Sequence, residues 1–155
     1  MNEMSDKQKA TNYETMKHIE SVRNMINTII ILLLERAQKH DQSKLEYPEA
    51  QVITEYIEQL SQLSYGSPEY DQCKQEMGPA LEHHYANNRH HPEHFKNGID
   101  DMNIIDLIEM FCDWKASSTR TIDGNIRKSI EINGERFNMS DQLIKILENS
   151  ISLLD

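Results

Sequence analysis

The sequence has 155 residues, with 16 Lys or Arg and 26 Asp or Glu, so its net charge is −10 with His neutral. This length suggests one domain of ordinary size. Hydrophobic residues make up 37% of the chain, with five Gly and four Pro, which argues against a collagenous, disordered or membrane-embedded protein. An acidic chain also lacks the basic face typical of proteins that bind double-stranded nucleic acid, whereas small ligands remain open.

The apolar segments are too short to cross a membrane. The longest apolar run, residues 29–34, has six residues, whereas a membrane-spanning helix needs roughly 20. The first ten residues are polar and charged and do not resemble a secretory signal. The two cysteines are too few and too far apart for a disulfide framework. We therefore expect a cytoplasmic protein without a membrane partner.

Apolar residues recur mostly at spacings of three and four, which predicts an all-α fold. In the N-terminal part the pattern predicts one helix over residues 13–25 and a second over residues 29–37. Asn27 or Thr28 is the expected cap of the second helix. A single continuous helix is the alternative.

The later helices are predicted from residues that favour helix starts. These start signals are Pro48, Gly78-Pro79, Asn103 and Ser140. The helix that starts at Pro48 should end before a turn at residues 65–68, and Pro92 should break or restart the helix that follows Pro79. The last helix is expected over residues 141–154. Together these elements predict a single compact helical domain, 1–155, with a C-terminal helical extension over residues 121–155.

Residues 129–139 fit two structures. Asn133-Gly134 between alternating apolar residues is typical of a β-hairpin. The spacing of Ile122, Ile126, Ile130 and Phe137 also fits a helix, which we favour.

Histidines are concentrated in one short segment. Five of the seven lie within twelve residues, namely His83, His84, His90, His91 and His94. Neutral imidazole is the commonest metal-binding side chain, so the segment is a candidate metal site. The alternative is a solvated His-rich loop that binds metal only adventitiously.

A second candidate lies where the N-terminal apolar segment ends, at His40-Asp41-Gln42-Ser43-Lys44. At a helix end, adjacent His and Asp side chains can both turn toward one metal ion. Lys44 can reach a phosphate oxygen as a point charge. The alternative for Lys44 is a solvated surface lysine.

These segments, taken in order with His18 and Asp113, resemble the H…HD…H…H…D ligand set of the HD-domain metal-dependent phosphohydrolases. Residues 40–44 are similar to the HDxGK motif of that superfamily, with Ser43 where Gly is usual. More closely, residues 18–114 resemble a small phage and bacterial HD-like family with H, HDxSK, HxxxNxHH and CDW in that order. The corresponding positions are His18, residues 40–44, residues 84–91 and residues 112–114.

The resemblance implies a helical core over about residues 13–120 that holds one or two divalent metal ions, from among Mn, Fe, Zn, Co and Ni. The implied metal ligands are His18, His40, Asp41, His84, His90, His91 and Asp113. Asp41 is the implied bridge if two ions are present. No GYP segment follows His91, so specificity for cyclic dinucleotides is not implied.

The implied activity is metal-assisted hydrolysis of a phosphoester, with a small phosphorylated molecule such as a nucleotide as substrate. Metal ions lower the pKa of bound water and neutralise charge on a phosphoryl oxygen. Lys44 would hold the phosphate, His84 would protonate the leaving oxygen, and Asn88 would orient a ligand or the substrate. A di-iron oxygenase, or a non-catalytic helical binding or phage host-interaction protein with a structural metal, is the alternative.

Three further residues are candidates for substrate contact. Arg120 is a second candidate phosphate ligand, with a polar helix end as the alternative. Trp114 and Tyr85 can stack on a base, although packing is the commoner role of such aromatic residues.

The role of His18 depends on the N-terminal helices. One continuous helix would separate His18 from His40 by 22 residues at 1.5 Å each, or about 33 Å. His18 can therefore join the site only if the helix breaks near residues 25–28.

Overall fold

The computed structural model describes residues 4–64, 66–120 and 124–155, and within them the protein is all-α, without a strand, as predicted. The α-helices of these residues are α1 (Asp6–Lys39), α2 (Glu49–Gln62), α3 (Pro68–Glu76), α4 (Gly78–Asn87), α5 (Ile104–Ser118), α6 (Ile126–Arg136) and α7 (Asp141–Ser150). Short 3-10 turns cover Gln42–Leu45, Pro92–His94, Gly98–Asp101 and Ile151–Leu154. Residue 65 of the predicted turn and Ile122 of the predicted helical stripe lie outside the described residues.

The chain divides into two units, the first ending at Gln38 and the second covering Lys39–Asp155. The first consists of α1, in which no residue is buried. The second contains the other helices and, among the described residues, all of those that are buried. A single domain over residues 1–155, with a core over about 13–120, stays a prediction.

The predicted break between residues 13–25 and 29–37 is wrong, because α1 runs through it without interruption. Thr28, the expected cap, instead donates its hydroxyl to the carbonyl of Asn24 at 3.0 Å, a bond that a threonine forms inside a helix. The helix also contains neither Gly nor Pro to interrupt it. His18 therefore lies about 32 Å along the helix axis from Lys39.

The core of the second unit is formed by α5, α6 and α7. Its buried residues are Met110, Phe111, Trp114, Ile126, Ile130, Met139, Leu147 and Ile151. Trp114 is only 8% exposed, so its structural role is packing. This core fixes one side of α5.

The helical interpretation of residues 129–139 is confirmed as far as Arg136, where the helix ends, and the hairpin alternative is wrong. Asn133 and Gly134 are buried inside α6. A Cβ atom on Gly134 would lie 2.9 Å from Cδ1 of Ile144, so glycine permits the close approach of α6 and α7. This packing role differs from the turn role suggested by the Asn-Gly pair.

The predicted start signals of α2, α4, α5 and α7 are confirmed. Ser140 accepts the backbone N–H of Leu143 at 3.3 Å, and Asn103 forms a reciprocal capping box with Asp106. Helix α3 was not predicted, because Ser67 and Pro68 were interpreted only as part of a turn. Among the described helices, none has both the length and the apolar character needed to span a membrane.

Candidate metal centre

Three segments of the second unit bring histidines and carboxylates together. The first is the turn that follows α1, the second is α4 with the turn after it, and the third is α5. The residues among them that are placed to hold a metal ion are His40, Asp41, His84, His90, His91 and Asp113.

The first segment turns sharply at Asp41, whose backbone is left-handed with φ 56° and ψ 15°. Asp is one of the few residues other than glycine that adopt this conformation, which is found disproportionately at functional sites. The turn leaves Nε2 of His40 and Oδ2 of Asp41 3.5 Å apart. Two residues adjacent in the sequence therefore face the same point.

The potential ligand atoms form two overlapping groups. The first group is Asp41, His84, His90 and His91, and the second is His40, Asp41, His90 and Asp113. Within each group all ligand atoms lie within 4.8 Å of one another. Two ligands that each lie about 2.1 Å from one ion are about 3–4 Å apart, so both groups are close to a coordinating geometry.

The two carboxylate oxygens of Asp41 face different groups. Oδ1 lies 3.5 Å from Nε2 of His84 and 3.5 Å from Nε2 of His90. Oδ2 lies 3.5 Å from Nε2 of His40 and 2.5 Å from Nζ of Lys44. The two oxygens of one carboxylate therefore face both ligand groups.

The centre of the cluster contains buried polar atoms without partners. Oδ1 of Asp41 and both ring nitrogens of His90 form no hydrogen bond with any described residue. His90 is 1% exposed, so its ring is shielded from solvent. Buried polar atoms nearly always have a binding partner. A cation can be the shared partner of carboxylate oxygen and imidazole nitrogen atoms that face one another. The residues present therefore fit a divalent metal ion.

His84 and His91 face each other through their Nε2 atoms, which lie 2.8 Å apart. Two lone pairs at this distance repel each other unless a proton or a cation lies between them. Burial lowers the pKa of His91 to about 2, and the neighbouring His90 and His84 contribute. Burial, followed by the charge of Lys44, also lowers the pKa of His84. Both rings are therefore neutral at pH 7, the form that binds metal.

Glu49, a buried residue at the start of α2, lies behind these histidines. It is 1% exposed, and its Oε1 and Oε2 lie 2.7 Å from Nδ1 of His83 and 2.8 Å from Nδ1 of His84. Burial raises the pKa of Glu49, but hydrogen bonds from His83, Ser43 and His84 outweigh it and lower the pKa. The Glu49 carboxylate thus stays ionised and directs Nε2 of His84 toward the cluster.

Glu109 of α5 lies behind a histidine of the second ligand group, as Glu49 lies behind a histidine of the first. Its Oε1 is hydrogen-bonded to Nδ1 of His40 at 3.0 Å. The same oxygen lies 3.2 Å from Nδ1 of His90, but these two atoms are not aligned for a hydrogen bond. The carboxylates of Asp113, 3.7 Å from Nε2 of His40, and of Glu109 raise the pKa of His40 to about 10. Burial raises the pKa of Asp113, but the interaction with His40 and nearby positive charge such as that of Lys44 together outweigh it and lower the pKa to about 2.

Asn88 supports the cluster from behind His84. Its Nδ2 donates to the His84 carbonyl at 2.8 Å and to Oγ of Ser43 at 2.7 Å. Ser43 in turn donates to Oε2 of Glu49 at 3.1 Å. The buried amide of Asn88 therefore positions a ligand.

The comparisons with known proteins give one result. A family model described as a family of unknown function, DUF5662, matches residues 7–153. The chain belongs to DUF5662. No curated protein and no solved structure matches it. All of the cluster residues lie inside the DUF5662 match.

In this DUF5662 protein, the predicted ligands converge with one exception. His18 is exposed on α1 and belongs to neither ligand group, because the break that it required is absent. Arg120, the predicted phosphate ligand, is exposed beyond the end of α5 and is also outside both groups. Lys44 lies beside the cluster, where its ammonium group pairs with Asp41. The ring of His94 instead contacts the protein backbone, with Nδ1 2.8 Å from the carbonyl oxygen of Tyr85.

The sequence reasoning missed Glu49 and Glu109. A signal for Glu109 was available, because it precedes Asp113 by four residues and so lies on the same face of α5. No comparable signal marked Glu49, since an acidic residue in the first turn of a helix usually serves the helix dipole in solvent.

Proposed function

We propose that this DUF5662 protein is a metal-dependent phosphohydrolase that acts on a small phosphorylated molecule of the nucleotide class. The observation that carries the proposal is the pair of ligand groups that share Asp41 and His90, with the ammonium group of Lys44 beside them. The order of these residues along the chain, which resembles that of HD-domain phosphohydrolases, supports the same activity.

The charges around the cluster favour two divalent ions. Asp41 and Asp113 supply two carboxylates, and Glu49 and Glu109 lie directly behind the histidines. Four negative charges are thereby available to balance two divalent cations. Bound cations also invert the local field, which lets an anionic phosphate approach a chain of net charge −10.

The protein residues would bind and orient the reacting groups. When bound, the cations supply a water molecule of lowered pKa and neutralise charge on a phosphoryl oxygen. Lys44 is 39% exposed at its side chain, so its ammonium group can hold a phosphoryl oxygen from the solvent side. His84 has Nδ1 on Glu49 and Nε2 in the cluster, which favours a ligand role over the predicted role as proton donor.

The ligand set is compatible with several metals. Imidazole nitrogen and carboxylate oxygen suit Zn, Mn, Fe, Co and Ni. An oxygenase would require iron and would consume dioxygen, whereas a hydrolase releases phosphate without it. Metal identity and oxygen uptake therefore separate these two activities.

The test begins with the metal content of protein purified without a chelator or a His tag. We expect about two equivalents per chain and metal-dependent hydrolysis of bis(p-nitrophenyl) phosphate or of nucleotides. Asp41→Ala should lose nearly all metal and the activity, whereas His40→Ala, a change in one ligand group only, should lose about one ion and the activity. The matched controls His18→Ala and Asp100→Ala, at exposed positions outside the cluster, should retain the metal and the activity.

Each other outcome contradicts part of the proposal. Less than about 0.1 equivalent of metal, not restored by adding metal ions, would refute the site. If the protein contained stoichiometric metal but released no phosphate, it would be a binding protein with a structural metal. Iron with substrate-dependent oxygen uptake would identify an oxygenase instead.

A further inference from the structure

A half-buried lysine near the cluster has no carboxylate partner. Lys74 lies in the last turn of α3. Lys44 pairs with Asp41, and Arg136 pairs with Glu93 at 2.8 Å. In contrast, no carboxylate of the described residues lies within 4.0 Å of the Lys74 ammonium group. This cation is therefore available to an external anion.

Tyr85 connects Lys74 to the candidate metal ligands. Nζ of Lys74 lies 5.9 Å from the centre of the Tyr85 ring, and that ring centre is 5.1 Å from the centre of the His91 ring. Burial, followed by the charge of Glu93, raises the pKa of the Tyr85 hydroxyl. The Tyr85 ring is thus a neighbour of both a candidate metal ligand and the Lys74 cation.

The electrostatic environment of Lys74 is unfavourable for a cation. Burial lowers the pKa of the Lys74 ammonium group, and the positive charges of Arg136 and Lys44 lower it further. The charges of Glu93 and Asp71 oppose this effect without reversing it. An anion bound between these cations would offset both the burial and the repulsion.

We propose that Lys74 binds a second phosphate group of the substrate, with Tyr85 as the floor between this phosphate and the metal centre. The inference rests on the proposed function, which places the phosphoryl group to be hydrolysed beside Lys44. Arg136, held by Glu93, adds positive charge near Lys74. The substrate class is therefore a phosphoester that carries another phosphate, such as a nucleoside bisphosphate.

The test compares two nucleotides by calorimetric titration of the manganese-loaded full chain. Adenosine 3′,5′-bisphosphate should bind at least ~10-fold more tightly than adenosine 5′-monophosphate. Lys74→Met and Lys74→Gln should remove this difference while changing monophosphate affinity less than ~2-fold. Lys74→Arg should retain most of the difference. Lys145→Met, an exposed lysine of α7, is the matched control and should behave as the wild type.

The outcomes separate this inference from the proposed hydrolase activity. The role of Lys74 is overturned if the wild type binds the two nucleotides equally or binds neither of them. It is also overturned if the ratio of the two affinities is unchanged in both Lys74→Met and Lys74→Gln. Either conclusion holds even if hydrolysis occurs. A reduced ratio in the variants supports Lys74, even if no nucleotide is hydrolysed, and the failure is then that of the hydrolase proposal.

Discussion

Oε2 of Glu49 lies 2.8 Å from Nδ1 of His84, and Nε2 of the same imidazole lies 3.5 Å from Oδ1 of Asp41. A carboxylate on one ring nitrogen places the proton there and leaves the lone pair of the other nitrogen for a metal. Because Glu49 is 1% exposed, water cannot readily replace it in this role. The orientation of His84 therefore depends on a residue outside both ligand groups.

We expect Glu49→Gln to weaken metal binding by about 10- to 100-fold, the effect typical of residues that orient a ligand. A glutamine amide has one oxygen acceptor, whereas Glu49 accepts from His83 and His84 through two. Competition with a chromogenic chelator measures the affinity. Glu55→Gln, on the exposed side of the same helix, is the control and should bind metal as the wild type does. Equal affinity of Glu49→Gln and Glu55→Gln would contradict the positioning role.

The place of Asp41 in both ligand groups leads to a stoichiometric prediction for the proposed two-ion centre. His91 and Asp113 each belong to a single ligand group, so His91→Ala and Asp113→Ala should each reduce two bound ions to one. Asp41 belongs to both groups, so Asp41→Ala should reduce the content to nearly zero. Elemental analysis of the purified variants measures this. If Asp41→Ala retained one ion per chain, the bridge would be excluded.

The predictable part of the fold was the part encoded by local signals. Asn103 and Ser140 begin helices because their side chains accept N–H groups of the following turn, a relationship visible in a few residues of sequence. The continuity of α1 was not predictable in this way. Thr28 can cap a helix or bond within one, and the sequence leaves that choice open.

The sequence allowed the residue types of the site to be predicted, but only some of the contacts between them. The order of histidines and aspartates predicted the residues that the structure brings together, except for His18, and Lys44 lies beside them. The support by Glu49 and Glu109 depends on contacts across 35 and 69 positions of sequence. Helical spacing alone does not specify which buried acid will meet which histidine.

Metal binding should release a proton from His40. The carboxylates of Asp113 and Glu109 raise the pKa of His40 to about 10, so the metal-free protein carries this proton at pH 7. A ligating imidazole must be neutral. We expect release of about one proton per chain and, between about pH 7 and 9, up to a tenfold rise in Mn²⁺ affinity per pH unit. Calorimetry in buffers of different ionisation enthalpy measures the release. Affinity that does not change with pH would exclude His40 as a proton-competing ligand.

The same pKa shift predicts a pH dependence of the metal-free protein. The pKa of His40 is higher in the folded state than its ordinary value of 6.5. Its stabilising contribution is therefore complete below about pH 6.5 and is lost as pH rises toward 10. The free energy of unfolding, measured in urea, should fall across this range. The fall should be smaller in His40→Gln, and equal slopes for the two proteins would contradict the shift.

Asp106 should matter for stability and not for metal binding, although it lies on α5 only seven residues before Asp113. It is 0% exposed and accepts hydrogen bonds from the Arg89 guanidinium at 3.0 and 3.2 Å and from the Asn103 backbone N–H at 3.0 Å. Asp106→Ala leaves these donors without their carboxylate. Because the Arg89 side chain is 43% exposed, we expect a loss of about 3 kcal/mol, the low end for breaking a buried pair.

A loss of that size lowers the melting temperature of a chain of this length by roughly 6–12 °C. Calorimetric melting of the metal-free protein measures this loss, with the exposed Asp100→Ala as control. Asp106 belongs to neither ligand group, so the metal content of the folded variant should equal that of the wild type. Loss of metal without loss of stability would instead place Asp106 in the metal centre.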